Sequence, residues 1–212
     1  MKICSIPSIK TIIKTSAIAV PLLMAPMTSS ASSLNRTPNN DTVILSKDTT
    51  SIVPKGTTNP RILESAPSPV LFLNGKIQQA KFVVDLAQNA LYHYDEHGQA
   101  ICAYLIASGK LSTPTETGAR IVTHVETYPY RTASPRTKRY KNPRDYGPKI
   151  ICLRKIDLRT GETAPTGEFI HGNNNPKSLG NYASKGCMRM DNEVIKHLAK
   201  EVKKGDIVII QR

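Results

Sequence analysis

The stretch from His171 to Asp191 reads HGNNNPKSLGNYASKGCMRMD and sets one imidazole and one thiol, His171 and Cys187, sixteen positions apart. A thiolate is the reactive form of cysteine, and a neighbouring imidazole is its usual activator. Backbone N–H groups around Gly186 and Cys187 could donate to a developing oxyanion. Gly186 has no side chain to keep a substrate backbone away. Lys185 and Arg189 flank Cys187 and would favour its thiolate by charge. The glycines, asparagines and Pro176 between the two reactive residues suit backbone turning rather than packing. On spacing alone, nucleophilic catalysis competes with a plainer reading: a packed histidine and a buried or disulfide-bonded cysteine.

The other chemistry-bearing residues read more plainly. His93 and His97 lie four apart in YHYDEHG. They could form a metal pair, but strand followed by turn favours solvated loop residues. His124 follows an apolar strand and His197 lies beside a helix stripe, so both read as structural. Cys102 and Cys152 sit in apolar strands. Two buried thiols are the favoured reading, with a disulfide between them the alternative in an exported protein. Either way one cysteine outside the leader stays unpaired, which suits a free Cys187.

The elements that must position these groups are mostly strands. Lys81–Asp85 and Ala90–Tyr94 are short β-prone runs joined as a hairpin. Ile101–Ser108 is a nearly continuous apolar run, expected as a central strand. Ala119–Val125, Lys149–Ile156 and Asp206–Gln211 read as further strands. Asn192–Lys204 is the clear helix, striped by Val194, Ile195, Leu198 and Val202. Asp191 or Asn192 caps its start, and Gly205 can terminate it. Many short strands with one late helix predict a mainly β sandwich or barrel with an added helix, over residues 70–212.

The chain has 212 residues, enough for one domain plus extensions and a full core. It carries 29 Lys and Arg against 16 Asp and Glu, a net charge of +13. That balance calls for an anionic partner. The first 31 residues have a lysine-bearing start, an apolar block from Ser16 to Met27, and small residues ending at Ala31. This is the three-part pattern of a secretory signal peptide. Pro21, Pro26 and the shortness of the block argue against a stable membrane span. Export makes an anionic cell-wall polymer the expected partner and nucleic acid an unexpected one. Residues 32–69, rich in Ser, Thr, Asn and Pro, read as a flexible linker. Arg131 to Lys155 holds nine basic residues and one acid, Asp145, with tyrosines interleaved. It reads as a surface for anionic envelope groups or as a solvated basic loop.

His171-Gly172, the loop after it, and Ser184-Lys185-Gly186-Cys187-Met188-Arg189-Met190 resemble the signature of the L,D-transpeptidase catalytic domain. The resemblance extends upstream through Val84-Asp85, Leu91-Tyr92, Ala107-Ser108-Gly109-Lys110, Thr113-Pro114-Thr115 and Gly118. It closes on Lys204-Gly205-Asp206, so it covers roughly Ile77 to Arg212. Two departures stand out. Lys185 occupies the position before Gly-Cys where the family most often has a histidine, and Thr127 to Lys149 is an unusually basic insertion.

The resemblance implies an exported enzyme that acts on peptidoglycan stem peptides. Cys187 would attack the L-centre residue at position three of a tetrapeptide stem, release D-Ala and form a thioester. The amine of a second stem would then make a 3→3 cross-link. Water as acceptor would make the enzyme an L,D-carboxypeptidase; a lipoprotein lysine would make it an anchoring enzyme. His171 would act as base and then acid, with its other ring nitrogen held by the Gly172 carbonyl. Arg189 would either hold a substrate carboxylate or pin the cysteine loop. Ser184 and Lys185 join it as substrate-side candidates, although Ser184 suits a turn hydrogen bond better than a nucleophile. Asp145-Tyr146-Gly147-Pro148 resembles the segment that borders the cleft, which makes Tyr146 a candidate contact. No metal or cofactor is called for, because the covalent intermediate splits the amide exchange into two steps. A non-catalytic wall-binding module and a general thiol peptidase are the competing readings.

Overall fold

The computed structural model describes residues 63–130 and 134–212. The expected signal peptide and most of the expected linker lie outside these residues. The order is β1 (Val70–Leu73), β2 (Lys76–Gln79), β3 (Phe82–Asp85), β4 (Ala90–Tyr94), β5 (Ala100–Leu105), β6 (Ser108–Gly109) and β7 (Gly118–Thr127). Then come α1 (Lys138–Lys141), β8 (Lys149–Ile156), β9 (Thr163–His171), β10 (Tyr182–Ser184), β11 (Met188–Arg189), α2 (Asn192–Glu201) and β12 (Ile207–Gln211). Short 3₁₀ turns occupy Pro143–Tyr146 and Pro176–Ser178.

Eight strands form one curled sheet in the order β11-β9-β8-β7-β12-β3-β4-β5. The last strand therefore enters the middle of the sheet, parallel to β3 and antiparallel to β7. The β3–β4 hairpin forms as its sequence predicts. Asp85 closes its turn by accepting from the N–H groups of Ala87 and Gln88, and Asn89 takes φ 48°. The fold is mainly β with a helix packed on the sheet, as expected. Val194, Ile195 and Leu198 of α2 join Val122, Ile151 and Leu153 in the main core. Asp191 caps the helix by accepting from the N–H groups of Glu193 and Val194. Among the described residues, no helix is long and apolar enough to cross a membrane.

Three expectations are corrected. β5 lies at the free edge of the sheet rather than in its centre. Its sequence looks central because both faces are covered: Cys102 and Tyr104 reach the main core, while Ala103 packs with Tyr92 and Tyr94 on the other side. The helix ends at Glu201 rather than Lys204, because Lys203 N–H bonds the Asp206 carboxylate and turns the chain toward β12. Cys102 is disulfide-bonded, so it is not one of two buried thiols. Its partner is not Cys152, which is a buried free thiol.

The described end of the linker packs against the domain. Leu63 and Ala66 lie against Tyr92 and Tyr94, the Pro67 carbonyl accepts from the Tyr94 hydroxyl, and the Pro69 carbonyl accepts from Ala80 N–H at 2.7 Å.

Candidate active site

His171 ends β9 and Cys187 immediately precedes β11. These strands run parallel, with Met188 opposite Ile170 and Arg189 opposite His171. Cys187 therefore lies one step earlier, level with Phe169, on the strand beside the one that carries the imidazole. Arg189 and Ala107 exchange both backbone hydrogen bonds across the other side of β11. Pinned on two sides, the Cys187 loop has little freedom to drift from His171.

The loop is shaped from within. The Ser184 hydroxyl donates to the Cys187 carbonyl at 2.6 Å and accepts from Gly186 N–H at 3.1 Å. Ser184 is buried, and its hydroxyl is engaged inside the loop at both ends. Because Gly186 N–H is spent there, the Cys187 N–H is the backbone donor of this pair left for a developing oxyanion. Thr115 fastens the loop to the preceding chain: its hydroxyl donates to the Gly186 carbonyl and accepts from Gly109 N–H, both at 2.9 Å. Gly186 has φ 108°, a conformation that an L side chain rarely adopts. A groove of about 290 Å³ opens beside it, lined among others by Pro114, Gly167, Glu168 and the exposed Lys185. The half-buried Cys187 points its sulfur toward one wall, 3.8 Å from the Gly167 carbonyl.

His171 is buried, and its Nδ1 lies 2.5 Å from the Gly172 carbonyl. The Tyr146 side chain packs on the ring at 4.7 Å between centroids. Burial pulls the imidazole pKa down to about 4, against the backbone of Gly172 and Tyr146, which pushes it up. The ring is neutral at pH 7. Burial likewise raises the Cys187 thiol pKa. Phe169 and Arg189 oppose that rise, Glu168 adds to it, and burial outweighs them. Arg189 favours the thiolate by charge, as expected of a flanking cation, but it does not overcome desolvation. Arg189 leaves its buried Nε without a hydrogen bond.

Several supporting groups are missed from sequence. Glu168 accepts from Arg120 Nε at 2.9 Å and Nη2 at 2.8 Å, a buried pair beneath the groove. An acid at an otherwise buried strand position, just before Phe169-Ile170-His171, is the signal that could have revealed it. Asn192 binds the Asn173 backbone at both N–H and C=O, which steadies the chain after His171. Gly147 and Gly172 touch so closely that a Cβ on Gly147 would lie 2.7 Å from Gly172 Cα.

The remaining candidates lie elsewhere. His93 is buried on β4 against Phe82, not solvated, and burial takes its pKa to about 4. His97, by contrast, is exposed, as expected. His124, Glu126 and Cys152 bring ligand-type atoms within 4.8 Å of one another. There the Arg139 guanidinium already supplies the counter-charge to Glu126. A separate cavity of about 620 Å³ between Tyr128, Pro143, Pro148 and Lys196 is lined by asparagines whose amides are already bonded within the protein.

The YkuD L,D-transpeptidase catalytic-domain family matches residues 79–210. A curated Bacillus subtilis (strain 168) relative named as an L,D-transpeptidase, YkuD, is 34% identical over 110 residues, 51% of this chain and 52% of its own length. The chain thus spans about half the length of that relative. Among solved structures, the catalytic domain of an Enterococcus faecium L,D-transpeptidase is similar at 23% identity and a TM-score of 0.43, over 63% of this chain and 97% of that one. Bdellovibrio bacteriovorus Bd1075 is similar at 22% identity and a TM-score of 0.49, over 69% of this chain and 53% of that one. With more than half of its length matched, from the β2–β3 region to the closing strand, the chain belongs to the YkuD L,D-transpeptidase catalytic-domain family.

Proposed function

We propose that the chain is an exported cysteine L,D-transpeptidase that cross-links peptidoglycan stems through a thioester. The observation that supports this reading is the β9–β11 register, in which Cys187 falls level with Phe169, two residues before the buried His171 on the neighbouring strand, while the preceding Lys185 and Gly186 line a groove. His171 takes the thiol proton as Cys187 attacks the carbonyl of the third residue of a tetrapeptide stem. The sulfur–carbon bond forms, the amide to D-Ala breaks, and the proton passes to the departing amine. The Cys187 N–H faces the transient oxyanion. A second stem's amine then displaces the sulfur, and a 3→3 cross-link results.

Arg189 suits a stem carboxylate, because its guanidinium carries charge into the site without an acidic partner among the described residues. Lys185 offers a second cation at the groove mouth. Tyr146 covers the imidazole and borders the space a stem would enter. The exposed Arg136, Lys138, Lys141 and Arg144 fit an anionic wall polymer, consistent with the basic composition and the leader-like start.

Purified protein incubated with disaccharide tetrapeptide, with products read by mass, tests the proposal. Cross-linked dimers are expected, and Cys187→Ser should abolish them. Tripeptide without dimers would make the enzyme an L,D-carboxypeptidase. Unchanged substrate with the native chain would overturn the enzymatic reading in favour of a binding module.

A further inference from the structure

We propose that Glu126 is a positioning residue for His171: paired with Arg139, it holds the basic segment 134–148 so that Tyr146 stays against the imidazole. The inference rests on the reading of His171 as the base at this site. Glu126 stands on β7 with its side chain only 3% exposed. Arg139, on α1, donates from Nη2 to one carboxylate oxygen at 3.1 Å and places Nε 3.0 Å from the other. Only the first contact is an aligned hydrogen bond.

From that anchor a chain of contacts leads to the site. The Arg139 guanidinium lies over the Phe169 ring at 5.3 Å. Phe169 meets Tyr146 edge to face at 6.4 Å. Tyr146 packs on His171 at 4.7 Å between ring centroids.

Magnitudes single out this pair among the segment's ties. Lys138–Asp145 at 3.5 Å joins two exposed groups within the segment, and Asn174–Asp145 is an exposed hydrogen bond. Such surface ties are worth about 1 kcal/mol or less. The buried Tyr130 also bonds the Gly147 carbonyl, a neutral tie whose loss costs about 1–3 kcal/mol, less than stranding a charge. Glu126 differs. If the segment lifted, the carboxylate would be left buried beside Cys152 with only the long 3.4 Å contact to the exposed His124, and a buried charge stripped of its arginine is strongly disfavoured. The acid therefore acts as a latch that penalises opening. It also explains why the most basic stretch of the chain turns one arginine inward.

Glu126→Gln, Arg139→Gln and the double variant test the latch. Amide hydrogen exchange across 134–148 reports the segment, and NMR of the His171 ring against pH reports its hydration. The charged or titratable groups facing that ring are Arg189 from β11, Asp145 and Tyr146 from the segment, and Cys187. None of these is altered by the variants. In each single variant, exchange in 134–148 should quicken at least tenfold and the His171 titration should move upward, from about 4 toward the ordinary imidazole value. The double variant should add little to the larger single effect, because both residues form one contact. Carbapenem acylation of Cys187 should slow about tenfold, with its acid limb shifted the same way. Unchanged exchange, or an unmoved His171 titration in a folded variant, would overturn the proposal. Arg139→Gln alters a partly exposed side chain, so it serves if Glu126→Gln fails to fold. If the native protein takes no carbapenem adduct, the nucleophile assignment fails, while the exchange and titration results still decide the latch.

Discussion

Cys187 and His171 share one environment that pushes their proton affinities apart. The imidazole pKa falls to about 4 and the thiol pKa rises, each chiefly through burial. Above about pH 4 the imidazole is neutral and the raised thiol keeps its proton, which is the state from which the proposed attack would start. Acid removes it by protonating His171, so the rate should fall only as the pH approaches 4. Carbapenem acylation of Cys187, followed by mass spectrometry, should hold steady as the pH is lowered from 8 to about 5 and then drop toward pH 4. An acid limb centred near 6.5 would mean an ordinary, hydrated imidazole and would contradict the buried geometry. Ser184 belongs to the same scale. With its hydroxyl spanning from Gly186 N–H to the Cys187 carbonyl, it sets the loop that presents the sulfur.

At the scale of elements, β9 carries most of the site. Glu168 faces inward to Arg120, Phe169 faces the basic segment, and His171 faces the cysteine loop. The Arg120–Glu168 pair is almost wholly buried, with side chains 2% and 9% exposed. Glu168 also accepts from Glu116 N–H, which ties the pair to the segment before β7. Removing one partner leaves the other charge stranded, so Glu168→Gln should cost roughly 3–5 kcal/mol of unfolding free energy. Urea unfolding measures this, and a loss below about 1 kcal/mol would show that the pair is solvated. That β9 is the supporting strand is not legible from its residues: Thr163 to His171 begins with Thr, Ala, Pro, Thr, Gly and Glu, without apolar alternation. Register with β8 makes it a strand. The β3–β4 hairpin and α2 are legible because their patterns are local: an alternating pair around an Asp-closed turn, and a stripe with an Asp cap. Cys187 and His171 are legible as reactive types, but the groups that set their ionisation, Glu168, Phe169 and Tyr146, depend on cross-strand neighbours. His93 is misread for the same reason, because its position near a turn says nothing about Phe82 beneath it.

Over the whole molecule, charge and burial act in the same direction as pH falls. The net charge of +13 already favours expansion, and protonating carboxylates and histidines adds to the self-repulsion. Two histidines make this sharper. His93 and His171 are both buried, with pKa values lowered to about 4 by loss of solvent. In the unfolded chain each titrates near the ordinary value of about 6.5. The unfolded state therefore binds protons first, so the stability these sites hold at pH 7 is lost as the pH falls from 6.5 toward 4. A lowering of this size corresponds to roughly 3 kcal/mol for each histidine, a large share of a typical domain's stability. His93 separates this effect from catalysis, because it lies on β4 away from the thiol and its Nε2 has no hydrogen-bond partner. His93→Leu keeps the volume and removes the titration. Its unfolding free energy at pH 7 should stay within about 1.5 kcal/mol of the native protein. At pH 4.5 the variant should be the more stable of the two, and by a margin that narrows as the pH returns to 7. Urea midpoints at the two pH values measure both quantities. Parallel losses in native protein and variant would mean that His93 is already protonated in the folded state, and the acid sensitivity would then rest on His171 and the surface charge.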